Sequence, residues 1–420
     1  MKTIILDDDP TGTQSATGAR VLLRWDVATI ADALREHDSV YLQTNSRALD
    51  EASAVALIQQ IELDVEAAAA RLGESTRYVL RGDSTLRGHV FAESDVLMAD
   101  DGILVFVPAF PEGGRTTRGG VHYVRSAGVD VPAHETEYAH DPVFPFGTSV
   151  LVDYVAEKSH RHAIPVSLAQ VRAGQLTEVL RSAPRGAVVV PDAENASDIA
   201  SIARGIEEAW DAGVPLVVRS ASPLAAELAA VTSTGLLSTP LAAAGQRVLV
   251  VCGSHTYGAT AQIEAVAQRW GAPAVIDTGE ALADPRAEGE RVADSQRDRL
   301  ARTGLAFIAT ARERSADHGT LDHGSRVMAA LTTTVAMLLP SVDVIIAKGG
   351  ITSADVARVG MGAVAADVLG QVLPGVSVWR MRVRDGRSVL YVVVPGNVGE
   401  ADTLARVLEA LPLLPAALTA

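Results

Sequence analysis

Thr3-Ile4-Ile5-Leu6-Asp7-Asp8-Asp9-Pro10-Thr11-Gly12-Thr13 opens on a short apolar run and breaks into three adjacent carboxylates. The run Thr3–Leu6 does not alternate polar with apolar residues, which is the pattern of a strand covered on both faces. Asp, Pro, Thr and Gly all favour turns. Three neighbouring carboxylates repel one another, however, a cost that a purely structural turn has no reason to carry. The loop makes sense if it binds a cation, accepts protons from hydroxyls, or both. In an open parallel sheet, ligands bind outside the carboxyl ends of the strands, and this loop lies at such an end.

The same grammar continues down the chain. Apolar runs at Ser39–Gln43, Tyr78–Arg81, Ile103–Pro108, Ala187–Val190 and Leu216–Arg219 predict strands, and Arg247–Cys252 restarts the series. Ala274–Asp277, Ala306–Thr310, Val342–Lys348, Ser377–Val383 and Val389–Val394 complete it. Glu51–Arg71, Ala196–Ala212 and Thr352–Leu373 carry apolar residues at helical spacing, with Asn195 placed to cap the second. Strand–helix alternation predicts an α/β protein. At 420 residues the chain exceeds one ordinary core. Two three-layer α/β/α domains with largely parallel sheets are therefore expected, at 1–240 and 246–420, joined by the small-residue stretch Thr234–Gln246. Gly113–Ser149 reads as a long loop without periodicity, a feature that is usually functional.

Composition narrows the class. A formal net charge of −15 argues against nucleic acid, whose phosphates require a basic face. No apolar run reaches the roughly 18–20 residues that span a bilayer. Cys252 is the single cysteine, which excludes an intrachain disulfide and reads as a small buried filler. With no signal-like segment at Met1, the expected compartment is cytoplasmic, and a homodimer is the default assembly for a soluble enzyme.

The other strand ends are equally polar. Arg81-Gly82-Asp83-Ser84-Thr85-Leu86-Arg87-Gly88-His89 sets two guanidiniums around a carboxylate and two hydroxyls, a composition suited to a polyhydroxy acid. Pro108-Ala109-Phe110-Pro111 leads into Glu112-Gly113-Gly114-Arg115-Thr116-Thr117, an anion-binding composition. His122 and His134, near Glu135 and Glu137, are weighed as metal ligands against ordinary hydrogen-bonded histidines. In the second half, Val251-Cys252-Gly253-Ser254-His255-Thr256, Lys348-Gly349-Gly350-Ile351-Thr352-Ser353 and Pro395-Gly396-Asn397-Val398-Gly399 each follow a strand. Such small-residue turns suit a nucleotide phosphate, although none has Walker A or GxGxxG spacing. Lys348 is one of only three lysines in the chain.

Together these segments resemble the four-carbon acid sugar kinases. Asp8-Asp9-Pro10-Thr11-Gly12, Asp83-Ser84-Thr85-Leu86-Arg87-Gly88, Pro108-Ala109-Phe110-Pro111, Gly114-Arg115-Thr116-Thr117 and Gly120-Val121-His122-Tyr123 match motifs of the first domain of that family. Gly253-Ser254, Gly349-Gly350 and Pro395-Gly396-Asn397 match its second. Arg81-Gly82 stands where many members carry a lysine, and Ile351-Thr352-Ser353 where an acidic residue often follows the glycine pair. The resemblance implies a sugar-acid-binding N-terminal domain and a nucleotide-binding C-terminal domain. It implies ATP- and Mg²⁺-dependent phosphorylation of the terminal hydroxyl of threonate, erythronate or 3-oxo-tetronate, at the cleft between the domains. On this reading Asp8 or Asp9 takes the proton, and Asp83 works with them. Arg81, Ser84, Thr85, Arg87 and Arg115 hold the substrate. Ser254, Lys348, Gly349, Gly350, Ile351, Thr352 and Gly396 hold ATP. The alternative for the first loop is a haloacid-dehalogenase-type phosphatase using Asp7 and Asp9. That reading needs a later core lysine, yet Lys158 lies in a polar stretch.

Overall fold

The structure is a computed structural model describing residues 1–98, 102–126, 128–233, 235–312, 321–383, 385–396 and 399–412. The chain divides into two units, Met1–Ser233 and Thr234–Ala420.

The first unit contains β1 (Lys2–Asp7), β2 (Arg20–Leu22), β3 (Ser39–Gln43), β4 (Thr76–Arg81) and β5 (Ile103–Val107). It continues with β6 (Arg115–Arg118), β7 (Val121–Ser126), β8 (Val129–Pro132), β9 (Ala163–Val166), β10 (Val188–Pro191) and β11 (Leu216–Ser220). Its main sheet is parallel throughout, in the order β2-β3-β1-β4-β11-β5-β10-β9. Every residue of β3 and β5 is buried, as sheets covered by helices on both faces require. The helix Glu51–Leu72 shows how the covering is specified. Asp50 caps its start by accepting from Ser53 N, and Gly73, at φ +67°, ends it. Its buried residues Ala54, Ile58, Ile61, Val65 and Ala68 recur every three or four positions, and each buried isoleucine contributes roughly 2 kcal/mol. Asn195 caps Ala196–Asp211 as expected, through Asp198 N.

Gly113–Ser149 is not the structureless loop expected. Strands β6, β7 and β8 form a three-stranded antiparallel sheet. Gly119 and Gly120, both with positive φ, make the tight turn between β6 and β7, a hairpin signal.

The second unit contains β12 (Val248–Cys252), β13 (Ala274–Ile276), β14 (Leu305–Thr310), β15 (Val344–Lys348), β16 (Ala365–Leu373), β17 (Val376–Arg382) and β18 (Ser388–Val394). The order is β13-β14-β12-β15-β18-β17-β16. The first five run parallel, and β17 is antiparallel to both its neighbours. Strand β16 corrects the helix expected over Thr352–Leu373. The helix Gly350–Asp355 passes through a wider turn at Val356–Gly360 and stops. Gly362, at φ +65°, cannot continue it. Ala366, Val368 and Val372 then bury alternate positions of a strand, a period of two that this Ala- and Val-rich stretch disguised.

Residues after Ser233 belong to the second unit. Leu237 N donates to Gln371 O at 2.7 Å and Leu241 N to Ala410 O at 2.9 Å. Leu237, Leu241 and Ala242 pack on the core of that unit, so the first unit ends before the expected 240.

Candidate active site

Strands β3 and β4 flank β1 with Asp7 level with both Gln43 and Arg81, so three strand ends open side by side. Asp9 caps the tight turn Pro10–Ser15, accepting from Thr11 N at 2.7 Å. Arg81 projects from the end of β4 and one nitrogen, Nη1, donates to Asp7 Oδ1 at 3.2 Å, Asp8 Oδ1 at 3.1 Å and Asp9 Oδ1 at 3.0 Å. Its other terminal nitrogen donates to Thr11 Oγ1 at 3.0 Å. This guanidinium is buried and spent on the carboxylates. It is the clamp that lets three aspartates share a loop, whereas the sequence assigned it to substrate.

The three aspartates are not equivalent. Asp7 is fully buried, and Gly12 lies directly on it: a Cβ at position 12 would fall 2.0 Å from Asp7 Oδ1. Burial pushes Asp7 up to about 7, with Arg81 offsetting only part and Asp8 adding to the rise. A phosphatase nucleophile has to reach its substrate, and Asp7 lies under the loop. Asp9 has both oxygens engaged, one by Thr11 and Arg81 and the other by Arg47. Asp8 Oδ2 is buried without a hydrogen bond, and Arg219 Nη2 stands 3.8 Å away.

Arg47, in the loop after β3, was missed by the sequence reading. Besides Asp9 it approaches Asp83 Oδ2 at 3.3 Å and Asp8 Oδ1 at 3.8 Å. The signal was available, since Thr44-Asn45-Ser46-Arg47 follows a buried strand as the other polar loops do. Arg219, ion-paired to Glu93, was also missed because it lies within a strand.

Asp83 accepts from Arg87 Nε at 2.7 Å and from the Thr85 hydroxyl. Burial opposes its ionisation, but Arg87, Arg47 and Thr85 outweigh that and hold the carboxyl well below the usual carboxylate range. Arg87 also reaches Asp141 Oδ2 at 3.4 Å and lies 5.0 Å over the Tyr138 ring. Thr85 is fully buried, with its hydroxyl turned to Asp83, so it orders the loop, contrary to its expected substrate contact. Ser84 and Arg115 are buried, Arg115 donating to Gly113 O.

His122 supports this loop. Its Nε2 lies 2.9 Å from Ser84 O and its Nδ1 3.0 Å from Thr117 Oγ1. A carbonyl only accepts, so Nε2 carries the proton and Nδ1 accepts from threonine. Burial pushes His122 down to about 4, keeping it neutral. His134 Nδ1 lies 2.8 Å from Ser149 Oγ. The metal site weighed for these histidines is not formed: among the described residues no group of three metal-ligating side chains occurs.

In the second unit the three glycine-bearing strand ends meet at Ser254. A Cβ at Gly349, where φ is +112°, would fall 2.9 Å from Ser254 Cβ, and one at Gly396 would fall 2.9 Å from Ser254 Oγ. At Gly253 it would fall 2.4 Å from Thr352 Oγ1. Thr256 Oγ1 donates to Gly396 O at 2.8 Å. Thr352 is buried beneath this cradle, Gly350 is half-buried and Ile351 is exposed. Asn397 lies outside the described residues. Lys348, expected to hold phosphate, is fully buried and its Nζ donates to Pro395 O at 2.6 Å. It ties two turns together from below. Burial pushes it down to about 8 and pushes the Cys252 thiol up.

The site thus defines a two-domain protein with a cluster of carboxylates and guanidiniums in one unit and a glycine-bearing cradle in the other. Residues 3–228 match the sugar-binding N-terminal domain family and residues 249–404 the nucleotide-binding C-terminal domain family. The chain belongs to the four-carbon acid sugar kinase family. The D-threonate kinase of Bordetella bronchiseptica is 28% identical over 426 residues, 97% of this chain and 96% of that protein. The D-erythronate kinase of Heliobacterium modesticaldum is 30% identical over 305 residues, 69% of this chain and 65% of that protein. A solved structure from Salmonella typhimurium shares the fold with a TM-score of 0.69 at 19% identity, covering 96% of this chain and 98% of that one. One from Haemophilus influenzae does so at 0.62 and 18%, covering 97% and 99%. Both named relatives are kinases of four-carbon sugar acids. Nothing supports the phosphatase alternative. No helix among the described residues is long and apolar enough to cross a membrane.

Proposed function

We propose that the protein transfers the terminal phosphoryl group of ATP to the terminal hydroxyl of a four-carbon sugar acid of the threonate, erythronate or 3-oxo-tetronate class. The observation that carries this reading is the cluster in which Arg47, Arg81 and Arg87 meet Asp8, Asp9 and Asp83 at adjacent strand ends. A sugar acid offers one carboxylate and several hydroxyls, and this cluster offers guanidinium forks for the first and ionised carboxylates for the second.

The division of labour follows from the geometry. Asp83, held ionised by Arg87 and Arg47, accepts hydrogen bonds from substrate hydroxyls. Arg87 and Arg47, the least covered guanidiniums of the cluster at 20% and 13% side-chain exposure, exchange an internal carboxylate for that of the substrate. Asp8 takes the proton of the attacking hydroxyl, because its Oδ2 carries no hydrogen bond while both oxygens of Asp9 are engaged. Arg115 and Ser84 shape the wall. These residues act by positioning and by charge, which is what phosphoryl transfer asks of a protein.

On the donor side, Ser254, Gly349, Gly350, Ile351, Thr352 and Gly396 fit a nucleotide. Side chains at 349 or 396 would fill the cradle beside Ser254, so glycine keeps it open there. A Mg²⁺ ion would arrive on the phosphates and take one or two carboxylates at most. When bound, that ion neutralises phosphate charge.

The test is ATP consumption, read as ADP, over a panel of three-, four- and five-carbon sugar acids. The reading expects turnover with at least one four-carbon acid and little with its shorter and longer homologues. Turnover on none of the four-carbon acids, or release of phosphate from phosphorylated acids without ATP, would overturn it.

A further inference from the structure

The donor side lacks the cation that the sequence assigned to it. A bound polyphosphate needs donors and positive charge, and Lys348 supplies neither at the surface of the cradle. Its ammonium is buried and bonded to Pro395 O.

We propose that Arg312 is the phosphate-binding cation of the nucleotide site. This rests on the nucleotide reading of the second unit and assigns a residue to it. Arg312 follows β14, the strand that pairs with β12 so that Cys252 is level with Ala309. Its side chain therefore lies at the same carboxyl edge as the Gly253-Ser254 turn. Nη2 donates to Ser254 O at 2.6 Å and to Thr260 Oγ1 at 2.9 Å. Ser254 is the residue on which Gly349 and Gly396 converge.

Two further features of Arg312 point to an anion. Its Nε and Nη1 are buried with no hydrogen-bond partner, and among the described residues no carboxylate pairs with it. In the first unit the buried Arg81 and Arg219 each hold a carboxylate. Covering two guanidinium nitrogens without a hydrogen bond is costly. It also stands beside Thr260, in the first turn of the 14-residue helix Tyr257–Trp270, where the helix dipole already disfavours a cation. Two positive poles facing one space are stable together only if an anion shares it. A phosphate group accepts from a guanidinium in bidentate fashion, and a nucleotide on the Ser254, Gly349 and Gly396 cradle brings such a group there.

The experiment is calorimetric titration of the full chain with adenosine, ADP and MgATP, for the wild type, R312Q and R312K. Thermal melting of each variant reports folding. A hydrogen-bonded charge pair is worth an affinity loss of roughly 10- to 100-fold. R312Q should weaken MgATP by about that factor and ADP less, and leave adenosine within about twofold. R312K should recover part of the MgATP loss. Unchanged MgATP affinity in R312Q overturns the proposal while the wild-type titration still upholds the nucleotide reading. An equal loss for adenosine and MgATP overturns it as well, since that is the mark of a merely structural residue. Absence of MgATP binding by the wild type overturns the nucleotide reading, and the role of Arg312 with it.

Discussion

Replacing Asp7 with asparagine should stabilise the protein, and only above mildly acidic pH. Folding raises this carboxyl from 3.8 to about 7. The folded state therefore holds the proton more tightly than the unfolded chain. The stability this gives is fully present below pH 3.8 and is lost as the pH climbs through 7. A rise of roughly three units corresponds to about 4 kcal/mol at most. Asp7 is fully buried, so solvent screening does not reduce the figure. Asparagine keeps the shape without the titration, and Arg81 retains Asp8 and Asp9. Urea denaturation of wild type and D7N, followed by far-UV circular dichroism at several values between pH 4 and pH 8, measures the difference. The expected result is near-equal stability at pH 4 and an advantage of about 2–4 kcal/mol for D7N at pH 8. A variant destabilised by the same amount at every pH would refute the reasoning, because the Asp7–Arg81 pair would then outweigh burial. D7N should also retain phosphoryl transfer, which a nucleophilic Asp7 would not allow.

Three further outcomes follow from the same geometry. Asp83→Asn removes the ionised acceptor that Arg87 and Arg47 hold, so turnover should fall by at least about 100-fold with ATP affinity unchanged in titration. Gly349→Val places a side chain against Ser254 at a backbone angle that L residues rarely adopt, and should raise the KM for ATP tenfold or more while that for the acid stays put. Lys348 is lowered from 10.5 to about 8 on folding, so its buried ammonium opposes folding most below pH 8. Unfolding midpoints of the wild type should gain from this group between pH 8 and pH 10, and K348M should flatten that rise.

The parallel strands were legible because burial on both faces leaves a continuous apolar run, and the polar loops after β1, β4, β12, β15 and β18 were legible because each interrupts one. What stayed hidden depended on contacts across the sequence. Strands β6 and β7 turn on Gly119-Gly120, which reads equally well as permissive backbone for a ligand. Strand β16 reads as a helix until Gly362 is recognised as a stop. Arg81 was assigned to substrate by type and Arg47 escaped notice, because the roles of both are set by which carboxylates face them from other strands. Lys348 was singled out for rarity, whereas its position at the end of a fully buried strand directs the ammonium inward. Arg312 carried no motif at all. Its meaning comes from two covered nitrogens that make no hydrogen bond beside the Ser254 turn, a feature of the fold that a linear pattern does not display.

The most direct test of the account is where the phosphate goes. Proton-coupled phosphorus NMR of the product formed from ATP and the best four-carbon acid should show a phosphate ester coupled to the protons of the terminal carbon, formed in step with ADP. Phosphate on the carboxylate, or free phosphate with the acid unchanged, would contradict it.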